Sequence, residues 1–344
     1  MMQDGVPARR VAVPLRISQR AATARAGASV KALCGETMGT RWSVRLVVEE
    51  SRELASIVAE IASALDGVIA EMSTWEAGSA ISRINAAPAG SWHALPANFY
   101  RVLEYALAVA RDTEGAFDPT VGRLVALWGF GAGAEVQCVP TAEAVAAARV
   151  DCGWARIELD KPRRAALQPG GVRLDLSSVA KGFAVDRVAA VVREAGVESF
   201  LVEIGGELRG EGVKPDGMPW WVALERPRGS ASGAAPIADI VVALNGLAVA
   251  TSGSAEHFFS IGGRTFSHTI DPRTGSPVAH DLVSVSVLHR ECMHADALAT
   301  ALSVLGPDAG MEHALRLGLA ARFVSAVPGG YRERLTPQLA AMLA

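Results

Sequence analysis

Ile240-Val-Val-Ala-Leu-Asn-Gly-Leu-Ala-Val-Ala-Thr251 holds two short, nearly unbroken apolar runs separated by Asn245-Gly246. Runs of this length rich in β-branched residues read as strands, and Asn-Gly between them is a strong signal for a two-residue hairpin. Trp220 to Glu225, Thr265 to Ile270 and Leu282 to Leu288 have the same character, so residues 220–289 read as strand-rich. Asp271-Pro-Arg-Thr-Gly275 reads as a turn and Arg228 to Pro236 as an exposed loop. The flanks differ. Leu54, Ile57, Val58, Ile61, Leu65, Val68, Ile69 and Met72 recur at three- and four-residue steps, which gives a helix one apolar stripe. Further helices are predicted from Asn98, as N-cap, to about Thr113, after Thr141, from Ser178 to Ala195 with Gly196 as the stop, from Ala295 to Leu305, and from Asp308 to Leu317. Strands are predicted at Arg41–Val48, Val172–Leu176, Ser199–Ile204 and Ala320–Val324. Helices and hairpins mix without a regular βα repeat, which predicts an α+β fold.

The chain has 344 residues, 50% hydrophobic and 20% charged, which excludes a disordered polymer. Lys+Arg number 33 against 36 Asp+Glu, so no overall basic field draws in nucleic acid. The four cysteines, at 34, 138, 152 and 292, form no CxxC and lack zinc-ligand spacing, which leaves them as ordinary thiols. No apolar run approaches the ~20 residues needed to span a bilayer, so no transmembrane segment is expected. The Arg-rich start is interrupted by Pro14 and Arg16 before an apolar export segment forms, so residues 1–33 are expected to be a flexible tail and the chain, as written, cytoplasmic.

The common nucleotide signatures are missing: there is no GxxxxGK[ST], no GxSxG, and Gly129-Phe-Gly131-Ala-Gly133 lacks Rossmann spacing. Five local clusters remain. Asp296 and Thr300 lie one helical turn apart, a carboxylate and a hydroxyl suited to a hard cation, or simply a capping Asp and an ordinary Thr. His294 beside them reads as solvent-facing rather than as a ligand. Leu174-Asp-Leu-Ser-Ser-Val-Ala-Lys-Gly182 runs from strand into helix, where unpaired N–H groups and Lys181 attract a phosphate, or where the serines merely cap. Gly115-Ala-Phe-Asp-Pro-Thr-Val-Gly122 offers Phe117 and Asp118 on a stiff loop, either for a ligand or for packing. Trp75, in Met72-Ser-Thr-Trp75, is a stacking surface if it is exposed and a core residue if it is not. Phe266 to Gly275 displays His268, a candidate base, with Asp271 close by.

In this order, together with Glu36-Thr-Met-Gly-Thr40, Ile81-Ser-Arg-Ile-Asn85, Leu201-Val-Glu-Ile-Gly-Gly-Glu207 and Ala250-Thr-Ser-Gly253, the clusters resemble the ApbE family of FAD:protein FMN transferases. The resemblance implies mixed sheets with flanking helices, a T-fold-like architecture, over a domain at 34–334, with a C-terminal segment at 335–344. It implies that FAD is the substrate, that Mg2+ is the metal, and that FMN passes to a Thr or Ser hydroxyl of an acceptor flavoprotein as AMP leaves. By position, Met38, Trp75, Ala116, Phe117, Asp118, Asp175, Lys181 and Ile270 would contact FAD. Asp296 and Thr300 would hold the metal by side chain and Ser178 by its carbonyl, and His268, with Asp271 in support, would act as base. Family relatives are often periplasmic and membrane-anchored. An Mg-dependent FAD pyrophosphatase would use the same residues, and a noncatalytic FAD-binding protein would not need the metal and base positions.

Overall fold

The computed structural model describes residues 9–15, 27–132, 138–225, 237–253 and 258–343. Its centre is an eight-stranded sheet in the order Gly330–Leu335, Ala320–Val327, Leu282–His289, Leu247–Gly253, Glu207–Glu211, Phe200–Ile204, Thr40–Glu49 and Ala28–Thr37. Every neighbouring pair in it is antiparallel. Side chains alternate across such a sheet, and both faces are covered here. In Thr40–Glu49, Trp42, Val44, Leu46 and Val48 point into the main core, where helices Ala55–Met72, Ala97–Asp112 and Ala180–Glu194 lie. Helix Cys292–Leu305 continues this layer over Leu282, Val285, Val287 and Phe323. The opposite face, with Leu201, Val249 and Leu288, is covered by a small sheet of Arg10–Ala12, Ile240–Leu244 and Trp220–Ala223. The α+β reading therefore holds, with the long helices gathered on one face. No described helix is long and apolar enough to cross a membrane.

Several expectations are corrected by packing. Asn245-Gly246 does not close a hairpin. Ile240–Leu244 pairs with Trp220–Ala223, while Leu247–Gly253 pairs with Glu207–Glu211 and Leu282–His289, so the turn carries the chain from one layer to the other. Its two runs are apolar on both faces and stack face to face instead of meeting edge to edge. Val172–Leu176 contributes a single bridge, Arg173 to Val121, because the Asn85 side chain takes both the N–H and the carbonyl of Leu174, at 2.7 and 2.9 Å. The helix expected from Asn98 begins at Ala97, and Asn98 donates instead to Glu71 at 3.2 Å. The loop at Arg228 to Pro236 lies outside the described residues.

The expected flexible tail at 1–33 is also corrected where it is described. Arg10–Ala12 pairs in parallel with Ile240–Val242, the Ala12 side chain is fully buried, and Ala28–Leu33 forms most of the sheet's edge strand. The described part of 335–344, residues 335–343, is no separate segment either, since Leu339 and Met342 pack in the same core as Ala12. Arg322, only 1% exposed, pairs with Glu333 at 2.7 Å, and Glu333 also pairs with Arg10, so a buried ion network joins the two ends of the chain.

Helices Ala180–Glu194 and Cys292–Leu305 cross closely at Gly182. A Cβ at Gly182 would lie 2.7 Å from the Asp296 Cβ and nearer still to the Cys292 carbonyl oxygen, itself fixed backbone. Gly182→Ala must push the helices apart, and overpacking of this kind costs about 1–3 kcal/mol. The expected result is a lower urea midpoint with an unchanged m-value. An unaltered midpoint would show that the crossing is loose.

Candidate active site

The crossing at Gly182 fixes the acid expected to bind a metal. Asp296 is 5% exposed, and its Oδ2 accepts the Gly182 N–H at 2.9 Å. In a regular helix that N–H would go to the carbonyl four residues back, which is Ser178. Among the described residues no hydrogen bond ends on the Ser178 carbonyl. The Asp296 carboxylate thus replaces it and leaves it available. Helix Cys292–Leu305 is itself anchored from the neighbouring helix. Glu291, its N-cap residue, gives no side-chain cap, and Asp186 instead accepts from the N–H groups of Cys292 and Met293 at 3.0 and 2.9 Å. One turn beyond Asp296, the Thr300 hydroxyl lies 2.9 Å from that of Ser252.

Two tight turns bring further groups to this end of the sheet. Met38 and Gly39 have φ of 47° and 70°, and Gly205 and Gly206 have φ of 57° and 97°, the positive values a two-residue hairpin requires. The Gly205 N–H donates to the Arg41 carbonyl at 3.1 Å, which holds the turns side by side. Directly after the second turn stands Glu207, with its side chain 4% exposed, and the Lys181 ammonium donates to its Oε1 at 2.8 Å. Glu207 Oε2 is buried without a partner.

Two buried acids, Glu207 and Asp296, therefore share one ammonium. Burial is the largest cause that pushes the Glu207 carboxyl up, to about 8, against the pull of Lys181, and the charge of Asp296 adds to it. Burial likewise raises Asp296 against Lys181 and the Gly182 N–H. On Lys181 burial works against the charge, but Glu207 and Asp296 outweigh it and keep the ammonium protonated. The cluster sets two acids against one ammonium, and burial drives both acids towards their neutral forms. A divalent cation would favour the charged forms of these acids, and the carboxylate, hydroxyl and free carbonyl of Asp296, Thr300 and Ser178 are the hard oxygen donors that Mg2+ takes. Among the described residues no three His, Cys, Asp or Glu side chains form a denser metal cluster.

The loop at 115–122 packs against this end. The Asp175 N–H donates to the Pro119 carbonyl at 2.8 Å, and Asp175 Oδ1 accepts from the Ser177 N–H at 2.8 Å, shaping the entry to the helix that carries Lys181. Ala116, Phe117 and Asp118 are all buried. Asp118 accepts from the Thr120 N–H and hydroxyl at 2.8 and 2.6 Å and from the Trp154 N–H at 3.1 Å. Burial raises its carboxyl against these three donors. Asp118 thus braces the loop with its side chain. Trp75 is 71% exposed on a knuckle after helix Ala55–Met72, an open aromatic face.

His268 follows the hairpin Phe258–Ile261/Arg264–Ser267. The hairpin rests on a satellite core of Leu124, Trp128, Phe259, Phe266 and Ile270, which ties it to the helix Gly122–Leu127 that follows the Asp118 loop. Phe130 meets the His268 ring edge-on at 6.3 Å. The Trp128 Nε1–H donates to the Gly275 carbonyl at 2.9 Å and secures the turn beyond. Asp271 does not turn to His268: both its oxygens accept from Arg273 at 2.9 Å, and it stabilises the turn instead. Glu207, Asp186 and Ser252 were not singled out from the sequence as site residues. For Glu207 the available signal was an acid placed directly after Gly-Gly, between two strand-like runs.

Residues 38–323 match the model of the ApbE family, and the chain belongs to that family. It is 37% identical over 308 residues to the FAD:protein FMN transferase of Haemophilus influenzae, covering 88% of each chain. It is 34% identical over 315 residues to the protein of the same name from Klebsiella pneumoniae, covering 90% of this chain and 89% of the other. Among solved structures, the apo flavinyl transferase ApbE of Pseudomonas stutzeri superposes with a TM-score of 0.84 at 36% identity, covering 92% of this chain and 97% of that one. The ApbE protein of Thermotoga maritima superposes with a TM-score of 0.79 at 30% identity, covering 92% of this chain and all of that one.

His294 is neither a ligand nor turned out to solvent. Its ring stacks on Tyr105 at 4.0 Å and lies 4.7 Å from His289. Burial lowers both histidines below their ordinary 6.5, and His289 adds to the effect on His294. The unfolded chain then binds more protons than the folded one just below pH 6.5, so these groups make stability fall as the solution is acidified. Between pH 7.5 and 5.5 the urea midpoint of the wild type is expected to drop more than that of the His289→Asn/His294→Asn variant. Equal slopes would remove the histidines from the acid response.

Proposed function

We propose that this chain is an FAD:protein FMN transferase that moves FMN from FAD, with Mg2+, onto a Thr or Ser hydroxyl of an acceptor flavoprotein and releases AMP. Family membership and the shared name of its relatives support an enzyme of the transferase class. The observation that carries the reading is the cluster of Asp296, Glu207 and Lys181 beside the unclaimed Ser178 carbonyl, a buried site with two acids and one ammonium. When bound, Mg2+ would neutralise the pyrophosphate oxygens of FAD, held by Asp296, Thr300 and the Ser178 carbonyl.

In this reading Lys181 and the first turn of its helix hold the phosphates. Trp75 gives the ring system a flat face, and Met38, Ile270 and the loop at 116–118 enclose it, with Asp175 supplying an acceptor beside that loop. His268 takes the proton of the acceptor hydroxyl. The hydroxyl oxygen then forms a bond to the FMN phosphorus, in line with the bond that breaks, and AMP departs with that bonding pair on its phosphate oxygen.

The test incubates the protein with FAD, Mg2+ and an acceptor flavoprotein domain, followed by a denaturing gel viewed for flavin fluorescence. A fluorescent acceptor band is expected. Free FMN without a band would indicate a pyrophosphatase, and intact FAD a binding protein. Asp296→Ala should abolish the Mg2+-dependent band. His268→Ala should keep FAD affinity within a few-fold while slowing transfer by about 10²-fold or more, the scale of general-base catalysis.

A further inference from the structure

The remaining question at the metal site is why an ammonium stands beside it. Lys181 precedes Gly182, whose N–H is bonded to Asp296, and although its ammonium is ion-paired with Glu207, its charge also acts through space on the carboxylate expected to hold a divalent cation. Two cations on one acid repel strongly where water is excluded. Glu207 stands where it can relieve this: it is nearly fully buried, its Oε1 is 2.8 Å from the Lys181 ammonium, and a cation arriving nearby favours its ionised form. Its position is fixed by the Gly205-Gly206 turn, where a side chain at Gly205 would run into Thr40 at 2.9 Å. Its Oε2 has no protein partner although it is buried, so the carboxylate is not there to complete a hydrogen-bond network of the core.

We propose that Glu207 is a positioning residue of the metal centre, which holds Lys181 aside and offsets its charge so that a divalent cation can be bound by Asp296 next to it. This rests on the metal reading above and deepens it, assigning a role to a residue outside the expected metal-ligand set. Outer residues of this kind commonly govern metal affinity by about 10- to 100-fold.

The probe is Mn2+ alone, titrated into the full chain without FAD and followed by loss of the free-ion electron paramagnetic resonance signal. The wild type is expected to bind Mn2+ and Asp296→Asn to lose binding. Glu207→Gln, which preserves shape, should weaken binding about 10- to 100-fold. Lys181→Met should tighten it, and the double variant Glu207→Gln/Lys181→Met should return to within a few-fold of the wild type, a rescue that a merely structural role for Glu207 would not produce. Should Glu207→Gln fail to fold, the Lys181→Met comparison still decides. Wild-type binding matched by Glu207→Gln, a double variant no better than Glu207→Gln, or weaker binding in Lys181→Met would overturn this role while leaving the metal site standing. No Mn2+ binding by the wild type would overturn the metal reading itself, and this proposal with it.

Discussion

A single hydrogen bond organises the functional end of this molecule: the Gly182 N–H donates to the side chain of Asp296 on the neighbouring helix. It requires the two helices to approach until no Cβ fits between them, which only glycine permits. It draws a carboxylate into a nearly dry place, and it releases the Ser178 carbonyl from helical bonding. Asp186 adds a second tie between the same helices by taking two N–H groups at the start of Cys292–Leu305. The acid is therefore placed by backbone geometry at both ends and does not depend on the rotamer of a surface side chain.

Around that contact the fold collects groups from distant parts of the chain. The antiparallel sheet brings the turns at Met38-Gly39 and Gly205-Gly206 to one end, and the second delivers Glu207 to Lys181. The satellite core of Leu124, Trp128, Phe259, Phe266 and Ile270 is separate from the main core, and it fastens the His268 hairpin to the segment that follows the Asp118 loop. A residue expected to meet the flavin and one expected to move a proton thus share a small aromatic support.

Much of the architecture was legible because its signals are periodic. The stripe from Leu54 to Met72 became a helix with Ile57, Ile61, Leu65, Val68 and Met72 buried, and Thr141 caps its helix through the Ala144 N–H. What was misread depended on partners far away in sequence. Asn245-Gly246 carried a correct turn signal, but the turn links two layers because both neighbouring runs are apolar on each face. Val172–Leu176 had strand composition, yet Asn85 occupies the Leu174 backbone groups that a neighbouring strand would use. Arg10–Ala12 is polar enough to pass for a tail and is held by pairing to Ile240–Val242.

The candidate site divides in the same way. Asp296, Thr300, Lys181 and His268 stand in recognisable local motifs, so their residue types and their order along the chain pointed to a family and to a kind of chemistry. Asp118 and Asp271 stood out equally, but their carboxylates are taken up by neighbouring donors that no local spacing reveals. The sequence by itself determined most of the helices and central strands, and which polar side chains were available. Only the tertiary structure decided that Glu207 faces Lys181 and that Asp296 faces Gly182. The physical reason is that a local pattern reports a residue's face on its own element, whereas burial and charge balance arise from which elements meet.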